Sequence, residues 1–184
     1  KAFAIWLQDQ PTDTIWFQNL LISLLEGLLR EYRSLSIGFK KSAPLLGWAC
    51  RNMLELNVIT KFVLLNESNA KSFVDDWIID DLEVFDSFRS WMKFHGATTA
   101  EMDKIIANFQ ELKQEQGITR KQYLKTKDMA AAVNFSEEYE HVNKVTSKMV
   151  HPTAFSVLAP EGKYGVLTPI LFNNGVRFGV EASV

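Results

Sequence analysis

The stretch that decides the fold is Ser42 to Leu65, SAPLLGWACRNMLELNVITKFVLL. Its length and its content of Leu, Met, Ala and Arg predict a helix of about six turns. The run Ser42-Ala43-Pro44 is typical of a helix start, because serine can accept a hydrogen bond from a backbone N–H and proline has none to satisfy. At about 100° per residue the apolar side chains leave no broad polar face, so we expect a central, buried helix.

Two charged residues interrupt this helix, Arg51 and Glu55, and they lie four residues apart on one face. That face also carries Trp48, Val58 and Phe62, so we expect the pair to be partly withdrawn from water. A buried charge without a partner is strongly destabilising. Another segment of the chain should therefore reach this face.

The composition is that of an ordinary globular chain of 184 residues, which suits one domain over residues 1–184. A formal net charge of -2 gives no general reason to expect binding to nucleic acid or to an anionic membrane. The single cysteine, Cys50, excludes an internal disulfide and fits a cytoplasmic setting, and we expect it to be buried as a small apolar residue. Charged residues break the long apolar runs, so neither a membrane span nor a signal peptide is predicted.

Helical periodicity continues on both sides of the central stretch. Helices or short helical pieces are predicted over about residues 14–36, 71–95, 99–116, 119–133 and 136–150. The end of the chain differs, because ILF-NNG-VRFGV around Asn173-Asn174-Gly175 is typical of a β-hairpin with a tight turn. We therefore predict an all-α bundle of about five or six helices over residues 14–158, with a small C-terminal β-hairpin over residues 165–184.

A second set of polar residues lies on the late helix. Ser147 and His151 are four residues apart on one face, and Tyr139 lies two further turns toward the start of the helix. If this helix packs on the central one, His151 comes near Glu55, which would orient its imidazole. A cluster of Arg51, Glu55, Tyr139, Ser147 and His151 would form either a pocket for a small ligand or catalysis, or a polar network that fixes helix register.

These residues also carry a resemblance to a known family. An Arg-x-x-x-Glu in an apolar helix, followed by Tyr and then by Ser-x-x-x-His-Pro, resembles a bacterial family of helical proteins of unknown function. The matching residues are Arg51, Glu55, Tyr139, Ser147, His151 and Pro152. The resemblance covers roughly residues 15–158, and it implies an all-helical fold without indicating a reaction.

A second resemblance rests on Arg89 and His95, which five residues separate in RSWMKFH. The spacing is similar to the motif of HEPN-type helical ribonucleases. That resemblance implies that the two side chains polarise a phosphate and transfer a proton across a dimer interface, as RNA cleavage requires. The alternative explanation is a helix C-terminus with favourable cations.

Metal and cofactor chemistry has little support in the sequence. Asp76, Asp80 and Glu83 share a helix face and offer oxygen ligands, but a solvated face explains them better, because no second acidic motif completes a metal shell. The sequence contains no phosphate-binding loop, nucleophile elbow or dinucleotide fingerprint. We therefore expect no metal and no cofactor.

We expect a non-enzymatic, intracellular bacterial module that works through a partner protein or its own dimer. One alternative is a metal-independent HEPN-like ribonuclease, for which nucleic acid would be the substrate. Another is a bundle that binds a small ligand between Arg51, Glu55 and His151. An interaction module predicts an exposed apolar patch, to which the hairpin is a candidate contributor. A ribonuclease instead needs Arg89 and His95 exposed, close together and facing a basic groove or a second copy.

Overall fold

A computed structural model describes residues 14–151 and 164–184. Within these residues the chain forms seven α-helices and no β-strand, so the predicted all-α class is confirmed. The helices are α1 (Ile15–Lys41), α2 (Ala43–Leu65), α3 (Glu67–Phe94), α4 (Ala100–Glu115), α5 (Thr126–Ala132), α6 (Ser136–Val150) and α7 (Leu167–Ser183). None of these seven helices has both the length and the apolar character that crossing a membrane requires.

The described residues form two compact units. The first contains residues 14–66, 126–151 and 164–184, which include α1, α2, α5, α6 and α7. The second contains residues 67–125, which include α3 and α4. A single domain over residues 1–184 stays a prediction.

The central helix of the first unit is α2, as its apolar pattern predicts. It packs against α1, α5, α6 and α7, and Leu46 and Leu54 are fully buried. Its start is fixed by Ser42, whose hydroxyl accepts a hydrogen bond from the Leu45 N–H at 3.3 Å. A Cβ on Gly38 would lie 2.5 Å from the Leu46 nitrogen, so this glycine allows the end of α1 to pack closely against the start of α2.

The predicted C-terminal β-hairpin is wrong, because residues 167–183 form the helix α7. Its buried residues recur at the spacing of one helix face, and they are Leu171, Gly175, Phe178 and Gly179. A Cβ on Gly175 would lie 2.6 Å from Leu35 Cδ1 of α1. The glycine that favours a tight turn in a hairpin therefore serves here to bring two helices close together.

Aromatic rings join the two helices of the second unit. Phe109 of α4 lies edge-to-face against Trp77 and Phe85 of α3, with ring centroids 5.5 and 5.2 Å apart. Such pairs contribute about 1 kcal/mol beyond the area that they bury. These rings therefore join α3 to α4, although Trp77 stays 47% exposed.

Asp76 of α3 holds the segment that follows α4. Its carboxylate accepts hydrogen bonds from the Arg120 guanidinium at 2.7 Å and from the Leu124 N–H at 2.8 Å. Arg120 also donates to the Ser72 carbonyl at 2.6 Å. Asp76 is buried, so its predicted place on a solvated acidic face is wrong, and its charge is instead satisfied by these charge-assisted hydrogen bonds.

Candidate functional site

The predicted ion pair of the central helix is present. Arg51 Nε lies 3.0 Å from Glu55 Oε1, and the two side chains are 29% and 27% exposed. Their separation of four residues puts them on one face of α2, where each side chain reaches the other across one turn. The pair is therefore partly withdrawn from water, as its apolar neighbours predict.

Tyr139 reaches this pair from α6 and is itself buried. Burial raises the pKa of Tyr139, and the charge of Glu55 raises it further, whereas Arg51 and a hydrogen bond with Thr126 oppose the increase. The phenol is thus neutral at physiological pH and lies within the electrostatic reach of both charged residues. The structure brings Arg51, Glu55 and Tyr139 together.

Ser147 and His151 lie nearer the other end of α6. The Ser147 hydroxyl donates to Asn143 Oδ1 at 3.5 Å, and the Ser147 carbonyl accepts from the backbone N–H of His151 at 3.1 Å. His151 is an exposed residue. Tyr139 precedes His151 by twelve residues, which corresponds to about 18 Å along a helix. His151 therefore lies at the opposite end of α6 from the tyrosine, and a joint role of all five residues stays a prediction. Pro152 lies outside the described residues.

A second polar network surrounds Glu181 of α7. Asn57 and Lys61 of α2 donate to Glu181 Oε2 at 3.0 and 2.8 Å. Arg177 pairs with Glu138 of α6 and lies 3.8 Å from Glu181 Oε1. Although burial alone would raise it, the hydrogen bonds from Lys61 and Asn57 hold the pKa of Glu181 below its ordinary value. This network joins α2, α6 and α7.

The sequence contained a signal for this network. Asn57 and Lys61 are four residues apart, and so are Arg177 and Glu181, which puts each pair on one helix face. The second spacing has no such meaning in a β-hairpin, where residues four apart are separated by about 13 Å. The wrong secondary structure of α7 therefore hid its polar residues.

Cys50 is fully buried in α2, as predicted. Burial raises the pKa of the Cys50 thiol to about 12, although a hydrogen bond from the Gly175 backbone and the charge of Arg177 oppose the increase. The thiolate is the nucleophilic form of cysteine, and it is almost absent at neutral pH. Cys50 thus acts as a small apolar residue of the core.

Arg89 and His95 lie at the end of α3. The Arg89 guanidinium pairs with Asp86 at 2.5 Å and with Asp103 of α4 at 3.3 Å. The exposed His95 ring lies against Trp91 with a centroid distance of 4.8 Å. Two carboxylates thus compete with any phosphate for Arg89, and the residues' role in RNA cleavage stays a prediction.

An exposed apolar stripe runs along the outer face of α3. Val84, Phe88 and Trp91 are 61%, 50% and 57% exposed, and His95 continues the same line. These four residues, the α3 stripe, follow one another at intervals of four, three and four residues. The first three lie on one face of α3, and His95, the first residue after the helix, lies against Trp91. Contiguous exposed apolar surface is a common feature of protein interaction sites in general.

Three carboxylates adjoin the stripe on the side toward the start of α3. Asp80, Asp81 and Glu83, the acidic cluster, form no ion pair with any of the described residues. Burial raises the pKa of Asp80, and the charges of Asp76, Glu83 and Asp81 raise it further. Within the same part of the chain, no three His, Cys, Asp or Glu side chains converge to hold a metal ion. The acidic cluster is thus a negative surface without an ion pair of its own, and it lies beside an apolar surface.

Residues 21–159 match the family of unknown function named DUF5677. The chain belongs to this family. Neither curated proteins nor solved structures match the chain. The resemblance to a helical family of unknown function is thereby confirmed, whereas a bacterial origin and the resemblance to HEPN-type ribonucleases stay predictions.

The DUF5677 match includes α2, α3, α4, α5 and α6 in full. It therefore contains the pair of Arg51 and Glu55, and it also contains the α3 stripe with its acidic cluster. Helix α7 follows the matched residues, so Arg177 and Glu181 of the second polar network lie beyond them. The α3 stripe and the acidic cluster, both in the second unit, thus belong to the part of the chain that matches the DUF5677 family.

Proposed function

We propose that the protein is a non-enzymatic association module that pairs with a second copy of itself through the α3 stripe. We also propose an intracellular setting, which the single cysteine supports because the chain forms no internal disulfide. The observation that carries the proposal is the exposure of Val84, Phe88 and Trp91 on one helix face.

The apolar character of the stripe provides the driving force for association. Completing the burial of one half-exposed aromatic side chain is worth about 1 kcal/mol. Aromatic residues are also enriched among those that dominate binding energy at protein interfaces. Phe88 and Trp91 already stack on each other, with ring centroids 5.5 Å apart, so they offer a preformed surface to a partner.

The spacing of the stripe favours a second copy as the partner. The intervals of four, three and four residues are symmetric about a point between Arg89 and Ser90. An antiparallel second α3 would therefore place its Trp91 opposite Phe88 and its Phe88 opposite Trp91. A two-fold interface requires such self-complementarity.

Sedimentation equilibrium over a wide range of protein concentration tests this proposal. We expect a monomer–dimer equilibrium for the unchanged chain. Phe88→Ser should weaken the dimer at least about tenfold, because each dimer buries this ring twice. The matched control is Ile37→Ser, which changes a similarly exposed apolar residue of α1 and should leave dimerisation unchanged. A chain that stays monomeric at every concentration would overturn the proposal.

The alternative function as a ribonuclease requires a rearrangement of side chains at the end of α3. Arg89 would have to leave Asp86 and Asp103 to bind a phosphate. The association module needs no such rearrangement, because the stripe is exposed as it stands. An RNA cleavage assay of the unchanged chain, with His95→Ala as its control, separates the two classes of function.

A further inference from the structure

The charges along α3 are divided between its two halves. The acidic cluster of Asp80, Asp81 and Glu83 precedes the middle of the stripe, and Lys93 and His95 follow it. A parallel pair of α3 helices would place each acidic cluster against the other, whereas an antiparallel pair would separate the two clusters. Like charges in proximity are destabilising, so charge favours the antiparallel arrangement.

The symmetry of the stripe fixes the register of such a pair. With the two-fold axis between Arg89 and Ser90, His95 of one copy lies opposite Val84 of the other. The acidic residues Asp80 and Asp81 precede Val84 by four and three residues, which is about 5 to 6 Å along the helix. The imidazole of each copy thus faces the acidic cluster of the other copy.

None of the described cations of the second unit forms an ion pair with Asp80, Asp81 or Glu83. Arg120 binds the neighbouring Asp76, and Arg89 binds Asp86 and Asp103. The phenol-bearing Tyr123 lines the groove beside Asp80, Glu83 and Val84, while Lys113 and Lys121 line the other side of Glu83. A cation that arrives with a second copy would be stabilised at Asp80 and Asp81.

We infer that two copies pair antiparallel along the α3 stripe, so that protonated His95 of each copy faces Asp80 and Asp81 of the other and strengthens the dimer. This inference depends on the proposed self-association. Within one chain the His95 imidazole lies against the rings of Trp91 and Phe94. In the proposed dimer, Asp80 and Asp81 of the second copy are therefore the negative partners of His95.

The orientation of the two copies can be measured with spin labels on the full chain. Ser90→Cys lies at the axis, and Lys71→Cys lies nineteen residues earlier on the same helix. In an antiparallel pair the two labels at position 71 are about 55 Å apart along the helix axis. The two labels at position 90 are separated only by the width of the pair. A parallel pair would give the same short distance at both positions and would overturn the inference. The native Cys50 is buried and does not compete for the label.

The dependence of association on pH tests the role of His95. A histidine that gains acidic neighbours in the dimer binds its proton more tightly there, so the dimer is strengthened as the pH falls from 8 to 6. Two exposed ion pairs should tighten the dimer about fivefold. His95→Gln should abolish this change, and so should the double variant Asp80→Asn with Asp81→Asn. His141→Gln and Glu111→Gln alter exposed groups elsewhere and should preserve it.

The outcomes separate this inference from the proposed function. A dimer that binds equally tightly at pH 6 and pH 8, or whose dependence on pH survives His95→Gln, would overturn the inference and leave self-association intact. A chain that stays monomeric at both pH values would overturn the proposed function, and the inference with it. Long distances at position 71, together with a pH dependence that His95→Gln removes, would support both.

Discussion

The helices α2 and α3 are both long and rich in apolar residues, but their surroundings differ. Helix α2 is covered around most of its circumference by α1, α5, α6 and α7. Helix α3 is covered on its inner face by α4, whereas Val84, Phe88 and Trp91 are exposed on its outer face. The same kind of residue therefore stabilises the fold in one helix and is exposed to solvent in the other.

This difference shows where an apolar pattern stops being informative. Periodicity identifies the face of a helix that avoids water, but it does not identify the chain that covers that face. In α2 the cover comes from the same chain, including α7. For the α3 stripe we propose that it comes from a second copy. The comparison between core and interface is therefore best tested by truncating side chains in each helix.

The largest effect is expected in the core of α2. Leu54→Ala removes a fully buried side chain and should lower the free energy of unfolding by about 2 to 5 kcal/mol, because it leaves a cavity. Trp91→Ala removes more atoms from the stripe, yet it should lower the stability of the monomer by only about 1 kcal/mol, because Trp91 is 57% exposed and loses mainly its stacking on Phe88. Urea unfolding followed by circular dichroism, at a concentration that keeps the chain monomeric, measures both values. Equal losses would mean that the stripe belongs to the core.

The sequence predicts the architecture of the first unit well where local and tertiary signals agree. Ser42 begins α2 as expected, since its hydroxyl caps the helix. The buried α2 follows from its apolar spacing, and the pair of Arg51 and Glu55 follows from their separation of four residues. The sequence also predicts Tyr139 in one cluster with that pair, and Tyr139 lies within the electrostatic reach of both charges, whereas the expected approach of His151 to Glu55 stays a prediction.

The sequence does not predict α7 correctly, because a glycine can serve either in a tight turn or in the close packing of two helices. Gly175 after two asparagines favours a tight turn, but Gly175 and Gly179 also present a surface without side chains on one face of a helix. A Cβ on Gly179 would collide with the Met53 side chain of α2. Only the partner helices show which role applies. The outward position of the stripe could not be predicted either, because apolar spacing looks the same on a covered and an uncovered face.

An intermediate effect is expected where α7 packs against α1. Gly175→Ala brings a Cβ to within 2.6 Å of Leu35 Cδ1, and overpacking of this kind costs about 1 to 3 kcal/mol. The matched control is Gly27→Ala in α1, whose Cβ would meet Leu56 at 3.4 Å, an ordinary contact distance. The control should be neutral or stabilising, since alanine favours a helix more than glycine does. Thermal unfolding of both variants measures the difference. If Gly175→Ala is as stable as its control, the close packing of α7 is not needed for the fold.

The smallest effect is expected at the polar edge of α2, where the covering helix contributes a charge instead of apolar surface. The pKa of Glu181 is lowered in the folded chain, so its contribution to stability is present above the ordinary pKa of a glutamate and is lost as the pH falls through the lowered value. Glu181→Gln should therefore reduce the loss of stability between pH 5 and pH 3, by less than about 1 kcal/mol because the pair is partly exposed. Urea unfolding at several pH values measures this slope, with Glu115→Gln, an exposed residue of α4, as the control. The free energy of unfolding of Glu181→Gln could instead fall with pH as steeply as that of the unchanged chain. The contacts of Glu181 with Asn57 and Lys61 would then not help to hold α7 against α2. In that case apolar packing alone would distinguish the covered helix α2 from the exposed face of α3.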